Sequence, residues 1–489
     1  MKVAAISLLL CLAAVTSPAQ IDNFTHIIVI VQENRTPDNL FQGLCTAPFG
    51  SAASCVKSPT LTEYKYNIQT GKWQDGSKTI KPTSIQLAND YDLGHSHSDF
   101  EAMCKESGGV CKMGGAAGVV CSPKAKCPAN PQFRFVDNST GILDPYLQMA
   151  TQYGWANYMF QTNQGPSFPA HQFLFGGTSA PSQMKDKQGI FAAENMENTG
   201  IGGTAAAAGC TAPNGPPPKV VTRVKLIDAA GSETALAPVY PCFDHKTIPD
   251  VLPKGVTWTY YAPDATSIWT APNAIRHICM PSVKTGGGVC TGSEWLNNVD
   301  LTPADVLENI ADCNLSSVSW VIPTGYNSDH ARGNDGGGPS WVAAIVNAIG
   351  YSTACDDNSG YWKNTAIFIT WDDWGGWYDH EPPTILTSIP NQGGYQYGFR
   401  VPLLVVSAYT PKGLINNYRH DFGSILRFVE QNFGVTEGEL GFADHRATTD
   451  LTGFFDLKAK ARTFEEIKAQ KNAEFFLNDT RPPTDPDTD

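Results

Sequence analysis

Two short motifs place adjacent polar side chains directly after runs of apolar residues. Glu33 and Asn34 come after HIIVIV, and Asp372 and Asp373 come after TAIFIT. Neighbouring carboxylates repel each other unless protons or a cation neutralise them, and oxygen ligands suit a hard divalent cation. The motifs therefore indicate a metal site, although a charged turn exposed to solvent would give the same pattern.

A third motif, NQGPSFPAH, is typical of a turn that leads into a helix. It predicts Ser167 at the N-cap, Pro169 in the first turn and His171 on the same helix face as Ser167. A hydroxyl, free backbone amides and an imidazole around one helix N-terminus could hold a phosphate group. An ordinary helix cap explains the motif equally well.

Three further histidines lie in loops beside aspartates. His95 and His97 follow Asp92, and His330 follows Asp329. Such histidines can be metal ligands, donors to a phosphate or surface side chains. Their positions alone do not decide among these roles.

The hydrophobic pattern predicts the scaffold that positions these motifs. Short apolar, β-branched segments without alternation predict buried strands at 26–31, 318–322, 365–371 and 402–407. Helical patterns lie between them at 143–152, at 303–311 with Thr302 as N-cap, at 340–349 and at 421–433. This alternation predicts an α/β sandwich with a mostly parallel central sheet. Because ligands bind at the carboxyl ends of such strands, Glu33 and Asn34 would emerge at the functional edge.

The composition restricts the class of function. The chain has 489 residues, of which 42% are hydrophobic and 17% are charged, and this is enough apolar material for a large core. Lysine and arginine total 34 against 47 aspartates and glutamates, so the net charge is −13. This acidity argues against nucleic acids and anionic membrane surfaces as general partners.

The N-terminus predicts export. Lys2 precedes an apolar stretch, and small residues lead to Ala19, after which we expect cleavage of a signal peptide that covers residues 1–19. The apolar stretch is shorter than the roughly 20 residues of a membrane-spanning helix, and no later segment is longer. We therefore expect a secreted or periplasmic protein without a transmembrane segment.

Twelve cysteines remain after such cleavage, and none forms a Cys-x-x-Cys motif. Their spacing favours structural disulfides over metal binding, and the simplest hypothesis pairs neighbours along the chain, beginning with Cys45 and Cys55. Many lie in irregular stretches at 42–130 and 196–220, which we expect to be insertions in one large domain over 20–475. The acidic, proline-rich residues 476–489 predict a disordered tail.

Taken together, six segments resemble the phosphoesterase family that contains bacterial phospholipases C and acid phosphatases, within the alkaline-phosphatase-like superfamily. The resemblance covers about 26–456 and keeps the order of the family's blocks. The segments are HIIVIVQENRTPDNLFQG, DPYLQMATQYGWANYMFQTNQGPSFPAHQ, WTYYAP with AIRHI, SDHARGNDGGGPSWVAAIVNAI, YWKNTAIFITWDDWGGWYDHEPP and GFRVPLLVVSAYTPKGLINNYRHDFGSILRFVEQNFG. It implies an alkaline-phosphatase-like three-layer fold with disulfide-linked insertions.

The resemblance also implies roles for individual residues. A divalent metal ion would be held by Glu33, Asn34, Asp372 and Asp373, and Ser167 would be both a metal contact and the nucleophile that forms a phospho-serine. His95, His171 and His330 would surround the transferred phosphoryl group, and either of the last two could protonate the leaving group. Calcium, magnesium, manganese, zinc and iron all remain candidates for the ion.

Small departures from the family pattern bear on the substrate. Pro169-Ala170-His171 is closer to the acid-phosphatase variant than to the Pro-Asn-Arg of phospholipase members. We therefore expect hydrolysis of small phosphate esters, with cleavage of a phospholipid phosphodiester as the alternative. For a diester, four aromatics could line a head-group pocket: Trp374, Trp377, Tyr260 and Tyr261. A non-catalytic binding protein on the same fold is the remote third possibility.

Overall fold

The structure is a computed structural model that describes residues 24–105, 110–199, 207–215, 220–233, 236–284, 286–358, 360–386, 395–436, 438–447 and 449–483. The predicted signal peptide and its cleavage site lie outside the described residues, as do residues 484–489 of the predicted tail. Part of the predicted insertion at 196–220 also lies outside them.

An eight-stranded sheet forms the centre of the fold. In chain order its strands are β1 (His26–Gln32), β2 (Gly154–Phe160), β3 (Trp258–Tyr261), β4 (Val299–Asp300), β5 (Val318–Val321), β6 (Thr365–Trp371), β7 (Leu403–Ser407) and β8 (Leu414–Asp421). Their order across the sheet is β4-β3-β5-β1-β6-β7-β2-β8. All pairings are parallel except those of β7 with β6 and β2, so β7 alone runs against the other seven strands.

This sheet confirms the predicted α/β class and the mostly parallel order. The four predicted strands are present as β1, β5, β6 and β7, and each boundary lies within one residue of its prediction. The sequence analysis missed β2, β3, β4 and β8. Polar residues such as Asn157 in β2 and Asn416 in β8 break the apolar runs on which the prediction depended.

The helices form the outer layers of the fold. They are α1 (Pro37–Leu40), α2 (His97–Cys104), α3 (Asp144–Gln152), α4 (Ser167–Gly176), α5 (Gln183–Lys187), α6 (Ile248–Val251), α7 (Arg276–Cys279), α8 (Ser293–Asn298), α9 (Asp305–Ala311), α10 (Gly338–Tyr351), α11 (Cys355–Asn358), α12 (Phe422–Asn432), α13 (Phe442–Arg446) and α14 (Ala473–Leu477). Helices α3, α9, α10 and α14 pack together, and α4, α6, α12 and α13 form a second group.

The four predicted helices are present, but their first residues differ from prediction. Helix α9 begins at Asp305 with Ala304 as N-cap, so the prediction of Thr302 as N-cap was wrong. The backbone oxygen of Thr302 instead accepts a bond from the Asp305 amide. Asp421, predicted inside α12, is its N-cap and forms a capping box with Ser424.

Six disulfides join neighbouring cysteines and confirm the pairing hypothesis: Cys45–Cys55, Cys104–Cys111, Cys121–Cys127, Cys210–Cys242, Cys279–Cys290 and Cys313–Cys355. Six two-stranded sheets lie outside the central sheet: Trp73–Asp75 with Lys78–Ile80, Thr83–Ile85 with Arg134–Val136, Asp92–Leu93 with Cys121–Ser122, Phe191–Ala192 with Leu226–Ile227, Glu197–Thr199 with Val221–Arg223, and Ile385–Leu386 with Tyr395–Gln396. The disulfides and small sheets give the irregular segments a fixed structure.

The C-terminal helix packs on the domain. Phe476 of α14 is buried against Trp341 of α10, with ring centroids 5.2 Å apart, so the first residues of the predicted tail are structured. Among the described helices, none is long and apolar enough to cross a membrane.

Candidate active site

The carboxyl ends of parallel strands bring the predicted site residues to one edge of the sheet. Glu33 and Asn34 follow β1, Asp372 and Asp373 follow β6, and the loop after β2 leads to Ser167. The eight predicted side chains are all fully buried: Glu33, Asn34, His95, Ser167, His171, His330, Asp372 and Asp373. Hydrogen bonds, ion pairs and a ring contact connect them into one cluster.

Two carboxylates and an imidazole form the centre of this cluster. The Nε2 atom of His171 lies 3.3 Å from Glu33 Oε1 and 3.9 Å from Asp372 Oδ2. The ligand atoms of these three residues all lie within 4.8 Å of one another, a spacing that could hold one metal ion. The sequence predicts that His171 lies beside the transferred phosphoryl group, and it does not show that the ring lies beside the carboxylates.

The other ring nitrogen of His171 lies next to Tyr260. The Tyr260 hydroxyl donates to the backbone oxygen of Trp269 at 2.7 Å. Its oxygen lies 3.4 Å from both His171 Nδ1 and the Ala271 amide nitrogen, so it can accept a hydrogen bond from either. In a neutral ring with its hydrogen on Nδ1, the lone pair of Nε2 is directed towards Glu33 and Asp372, which is the arrangement of a metal-binding histidine.

Ser167 lies beside the second aspartate. Its hydroxyl donates to Asp373 Oδ2 at 3.3 Å, while Asp373 Oδ1 accepts the Gly375 amide at 2.6 Å. Ser167 is the first residue of α4, and Pro166 is the N-cap, so the predicted N-cap was wrong by one residue. The hydroxyl points to a carboxylate and does not cap the helix, which favours a chemical role over a capping role.

Asn34 is held by both its backbone and its side chain. It adopts a left-handed conformation with φ of 61°, and its amide donates to Asp372 Oδ1 at 3.0 Å. Its Nδ2 donates to His95 Nε2 at 3.1 Å. Gly375 makes this approach possible, because a side chain there would collide with the Asn34 backbone. The amide is thereby fixed with Oδ1 directed away from His95.

The donor atoms of this cluster fit a divalent cation. Within the described part of the chain, Asn34 Oδ1 and Asp372 Oδ2 are buried without a hydrogen-bond donor. Burying such groups is costly unless a partner compensates them, and a cation would do so for both. The mixture of oxygen atoms and one imidazole nitrogen suits manganese, zinc or iron, and does not exclude calcium or magnesium.

The remaining two histidines have different surroundings. His95 Nδ1 donates to the Leu93 backbone oxygen at 2.8 Å, so both of its ring nitrogens have partners. His330 Nδ1 donates to the Ala331 backbone oxygen at 2.6 Å, and its Nε2 has no hydrogen bond to any described residue. The two rings lie 5.9 Å apart. His95 therefore orients Asn34, whereas His330 offers a nitrogen to a ligand.

The carboxylate of Asp329, the residue before His330, is fully buried. Asp329 Oδ2 accepts bonds from the Tyr146 hydroxyl and from Trp371 Nε1, both at 2.9 Å. Arg35 Nε donates to the Asp329 backbone oxygen at 2.7 Å. Burial raises the pKa of Asp329 to about 6, although Arg35 opposes the shift. The order Ser-Asp-His was visible in the sequence, but these distant partners were not.

Arg35 is a fully buried cation beneath the site. Its guanidinium donates to Asn39 Oδ1 at 3.3 Å and to the Leu87 backbone oxygen at 3.1 Å, and it lies 4.9 Å from the Trp377 ring centroid. Burial lowers its pKa to about 10, so it stays charged at neutral pH. The four aromatics predicted as walls of a head-group pocket are less than 2% exposed and belong to the buried core: Trp374, Trp377, Tyr260 and Tyr261.

A second group with metal-like spacing consists of Asp38, Asp379 and His380. Here the protein itself supplies the partners. Arg400 binds Asp379 through Nε at 3.0 Å and Nη2 at 2.9 Å. His380 Nδ1 donates to Asp38 Oδ2 at 2.7 Å, and the Gln69 amide donates to Asp38 Oδ1 at 2.8 Å. We interpret this group as a structural network that fixes the loops after β1 and β6.

This chain is similar to known proteins of one family. The Phosphoesterase family model matches residues 24–436. The hemolytic phospholipase C of Pseudomonas aeruginosa is 21% identical over 91% of this chain and 57% of its own length. The non-hemolytic phospholipase C of the same species is 26% identical over 45% of this chain and 34% of its own. Phospholipase C B of Mycobacterium tuberculosis is 30% identical over 32% of each chain.

The chain thus spans between about a third and just over half of the length of these curated relatives. Among solved structures, a protein in the alkaline phosphatase superfamily from Vibrio parahaemolyticus aligns with 78% of this chain and 71% of its own. Its sequence identity is 11% and the TM-score is 0.31.

Proposed function

The chain belongs to the Phosphoesterase family, and from this premise we propose that it hydrolyses phosphate esters through a phospho-serine intermediate on Ser167. The observation that carries the proposal is the Ser167 hydroxyl, which donates to Asp373 within a buried cluster of carboxylates and imidazoles. A serine hydroxyl is a weak nucleophile at its free pKa and needs such an environment to react.

The proposed cofactor is one divalent cation held by Glu33, Asn34, Asp372, Asp373 and Ser167, with His171 Nε2 as a further candidate ligand. When bound, such an ion supplies Lewis-acid chemistry that favours the ionised form of the serine hydroxyl and offsets the negative charge of phosphate. The buried, unsatisfied oxygens of Asn34 and Asp372 support this assignment.

In the first half-reaction, Ser167 Oγ attacks phosphorus, a bond forms between them, and the bond from phosphorus to the leaving oxygen breaks. The hydrogen bond from the Ser167 hydroxyl to Asp373 Oδ2 orients the hydroxyl for this attack, and Asp373 Oδ2 accepts its proton. Water then attacks phosphorus, and the bond from phosphorus to Ser167 Oγ breaks. Asp373 returns the proton to Oγ, the residue that protonated the leaving group takes a proton from the water, and inorganic phosphate is released.

The departing alkoxide needs a proton, and we assign its transfer to His330. Of the two candidates, His171 has its Nε2 beside Glu33 and Asp372 and its Nδ1 on Tyr260. His330 Nε2 has no hydrogen bond to a described residue, while its Nδ1 is held by a backbone carbonyl. A ring fixed at one nitrogen and available at the other suits a general acid.

The proposed substrate class is a small phosphate monoester. The histidine in Pro169-Ala170-His171, which distinguishes this chain from the phospholipase pattern, lies within the carboxylate cluster and supports this choice. The second candidate is a phospholipid phosphodiester, which the names of the relatives favour.

The test compares hydrolysis of p-nitrophenyl phosphate and p-nitrophenylphosphorylcholine by the wild-type protein and by Ser167→Ala, with and without EDTA. We expect faster turnover of the monoester and loss of at least about 1,000-fold in kcat in the variant, because its nucleophile is missing. Chelation should abolish activity, and added divalent metal should restore it.

Ser293→Ala is the matched control, since Ser293 is also the first residue of a helix but is exposed. It should retain wild-type rates. Full activity of Ser167→Ala would refute the nucleophile, and faster turnover of the choline diester would select the phospholipase alternative. A labelled phosphoserine at position 167, trapped by acid quenching, would support the intermediate directly.

A further inference from the structure

One buried histidine has no part in the chemistry proposed above. His97 lies two residues after His95, is the first residue of α2, and is 1% exposed. Its Nδ1 lies 2.6 Å from the backbone oxygen of Gln164, and its Nε2 lies 2.9 Å from the backbone oxygen of Gly231. Two segments distant in sequence therefore meet on opposite sides of one imidazole.

Both partners of this ring are hydrogen-bond acceptors. Backbone carbonyl oxygens only accept hydrogen bonds, so each ring nitrogen must carry a hydrogen for both bonds to form. A neutral imidazole has one N–H and keeps only one of them.

Charged groups around His97 are predominantly acidic. Glu101, on the same helix, has its Oε1 3.7 Å from His97 Nε2. Glu194 Oε1 accepts the His97 backbone amide at 3.0 Å, and burial together with the neighbouring Glu233 raises the pKa of Glu194 to about 8. The other charged side chains near these groups are Asp228, Glu197 and Lys225.

One end of this bridge is the segment that leads to Ser167. Gln164 lies three residues before it, and the side chain of Gln164 donates to the Gln396 backbone oxygen at 2.7 Å. Gly165 packs so closely on Ala193 that any side chain there would collide with its carbonyl. Small displacements of this loop would therefore move Ser167.

The other end is a tight turn in an insertion. Asp228 Oδ1 accepts the amides of Ala230 and Ser232 at 2.9 and 3.0 Å, which fixes the turn that presents the Gly231 carbonyl. Gly231 also lies against the Gln164 side chain, with φ of 81°. The turn is thus a rigid surface against which the Ser167 loop rests.

We propose that His97 is a positioning residue whose two ring nitrogens tie the Ser167 loop to the 228–232 turn. This inference rests on the proposed function in taking Ser167 as the nucleophile. The tether holds the hydroxyl in its attacking position. His97 touches neither the substrate nor the proposed ligands.

The first test does not depend on activity. Amide exchange protection of residues 161–165 and 228–232 is measured by NMR in wild-type protein and in His97→Gln. We expect lower protection of both segments in the variant, because the imidazole no longer joins them. Equal protection in the two proteins overturns the tether.

The second test measures kcat and KM for p-nitrophenyl phosphate in His97→Gln. We expect kcat to fall about tenfold with little change in KM, since displacement of the nucleophile costs rate more than binding. His420→Gln is the control, because burial lowers the pKa of His420 to about 3 and keeps it neutral.

The two tests separate the possible failures. If the protein hydrolyses no phosphate ester, the proposed function fails and the exchange data alone decide the tether. If the protein is active and the tether forms, but His97→Gln keeps the wild-type kcat, then His97 does not position the nucleophile and the inference is wrong.

Discussion

At the scale of single residues, the candidate site concentrates negative charge where water is excluded. Glu33, Asp372 and Asp373 are fully buried, and His171 presents a ring nitrogen to the first two. Without a cation, two buried carboxylates that share one imidazole repel each other and disfavour the folded state. Metal binding should therefore affect stability as well as activity.

Asp372→Asn tests whether the buried carboxylates are needed for metal-dependent activity but destabilise the metal-free protein. The variant should lose more than about 100-fold in kcat, because a lost ligand weakens metal-dependent charge stabilisation worth several kcal/mol. Its metal-free form should unfold at a higher temperature than metal-free wild type, since one buried charge is gone. Thermal unfolding with EDTA and with added manganese measures both effects, and exposed Asp312→Asn is the control. A lower Tm of the metal-free variant would contradict the argument.

His330→Gln tests the assignment of the general acid. A proton donor contributes roughly 10²–10⁴-fold, and it matters most when the leaving oxygen is strongly basic. The variant should therefore lose far more activity on phenyl phosphate than on p-nitrophenyl phosphate, whose leaving group departs without protonation. Partly buried His277→Gln, which lies outside the candidate site, should leave the ratio of the two rates at the wild-type value. An equal loss on both substrates would exclude His330 as the acid.

At the scale of elements, one residue joins three strand ends. Asp329 lies in the segment after β5. Its carboxylate accepts a hydrogen bond from Trp371 at the end of β6, and its backbone oxygen accepts one from Arg35 in the loop after β1. Tyr146 of α3 supplies the third contact. Asp329 therefore holds the loops that carry the proposed metal ligands in a fixed position relative to His330.

Asp329→Ala should lower kcat through the residues that Asp329 positions and not through a contact with the substrate. The buried Tyr146 hydroxyl and Trp371 indole would each lose an acceptor, at a cost of about 1–3 kcal/mol per group. We expect a fall in kcat larger than the rise in KM, and partial recovery in Asp329→Asn, which keeps an acceptor oxygen. Asp335→Asn, in the same loop but in exposed ion pairs, is the control. Equal kinetics in Asp329→Ala and wild type would remove Asp329 from the positioning network.

Helices α12 and α13 pack two carboxyl groups together, Glu430 and Asp444. Burial and the neighbouring Asp444 raise the pKa of Glu430 well above its usual 4.5. A raised pKa means that the folded protein holds a proton that the unfolded chain releases above about pH 4.5, so this pair loses stability as pH rises. The pair should act as a pH-sensitive joint between the two helices.

In Glu430→Gln the amide keeps a donor towards Asp444 but does not titrate. The free energy of unfolding should therefore fall less steeply between about pH 5 and 8 in the variant than in wild type. Urea unfolding at several pH values measures the slope, and exposed Glu474→Gln provides the reference. Identical slopes in Glu430→Gln and wild type would show that the pair does not hold the extra proton.

At the scale of the whole molecule, six disulfides bind the insertions and the outer elements to the central fold. Disulfides of this number persist in oxidising compartments, which supports the proposal that the protein is secreted or periplasmic. Their sequence separations range from 6 to 42 residues, so their contributions to stability should differ.

The longest loop should matter most. Closing the 42-residue separation of Cys313–Cys355 removes more entropy from the unfolded chain than closing the 6-residue separation of Cys121–Cys127. Loop-closure arithmetic gives about 4 kcal/mol for the first and about 2 kcal/mol for the second. Replacing each pair with alanines and measuring urea unfolding tests the order, and a larger loss for the short loop would contradict it.

The sequence by itself determined the class of the fold, the order of its motifs and the chemical types at the site. Strand-end carboxylates, the Gly-Pro-Ser turn and the cysteine spacing are local features, so a single sequence displays them. Polar strands such as β2 and β8 were missed because their apolar pattern is broken, and β7 gave no sign that it runs antiparallel.

Only the tertiary structure decided which atoms meet. It places His171 beside Glu33 and Asp372, and a hydrogen bond with His95 orients the side chain of Asn34. It also brings Asp329 into contact with Trp371 at the end of another strand. These pairings join residues from 42 to several hundred positions apart, and they depend on strand order and side-chain packing. No local pattern encodes them, because each follows from the free energy of the whole fold and not from the residues beside it in the chain.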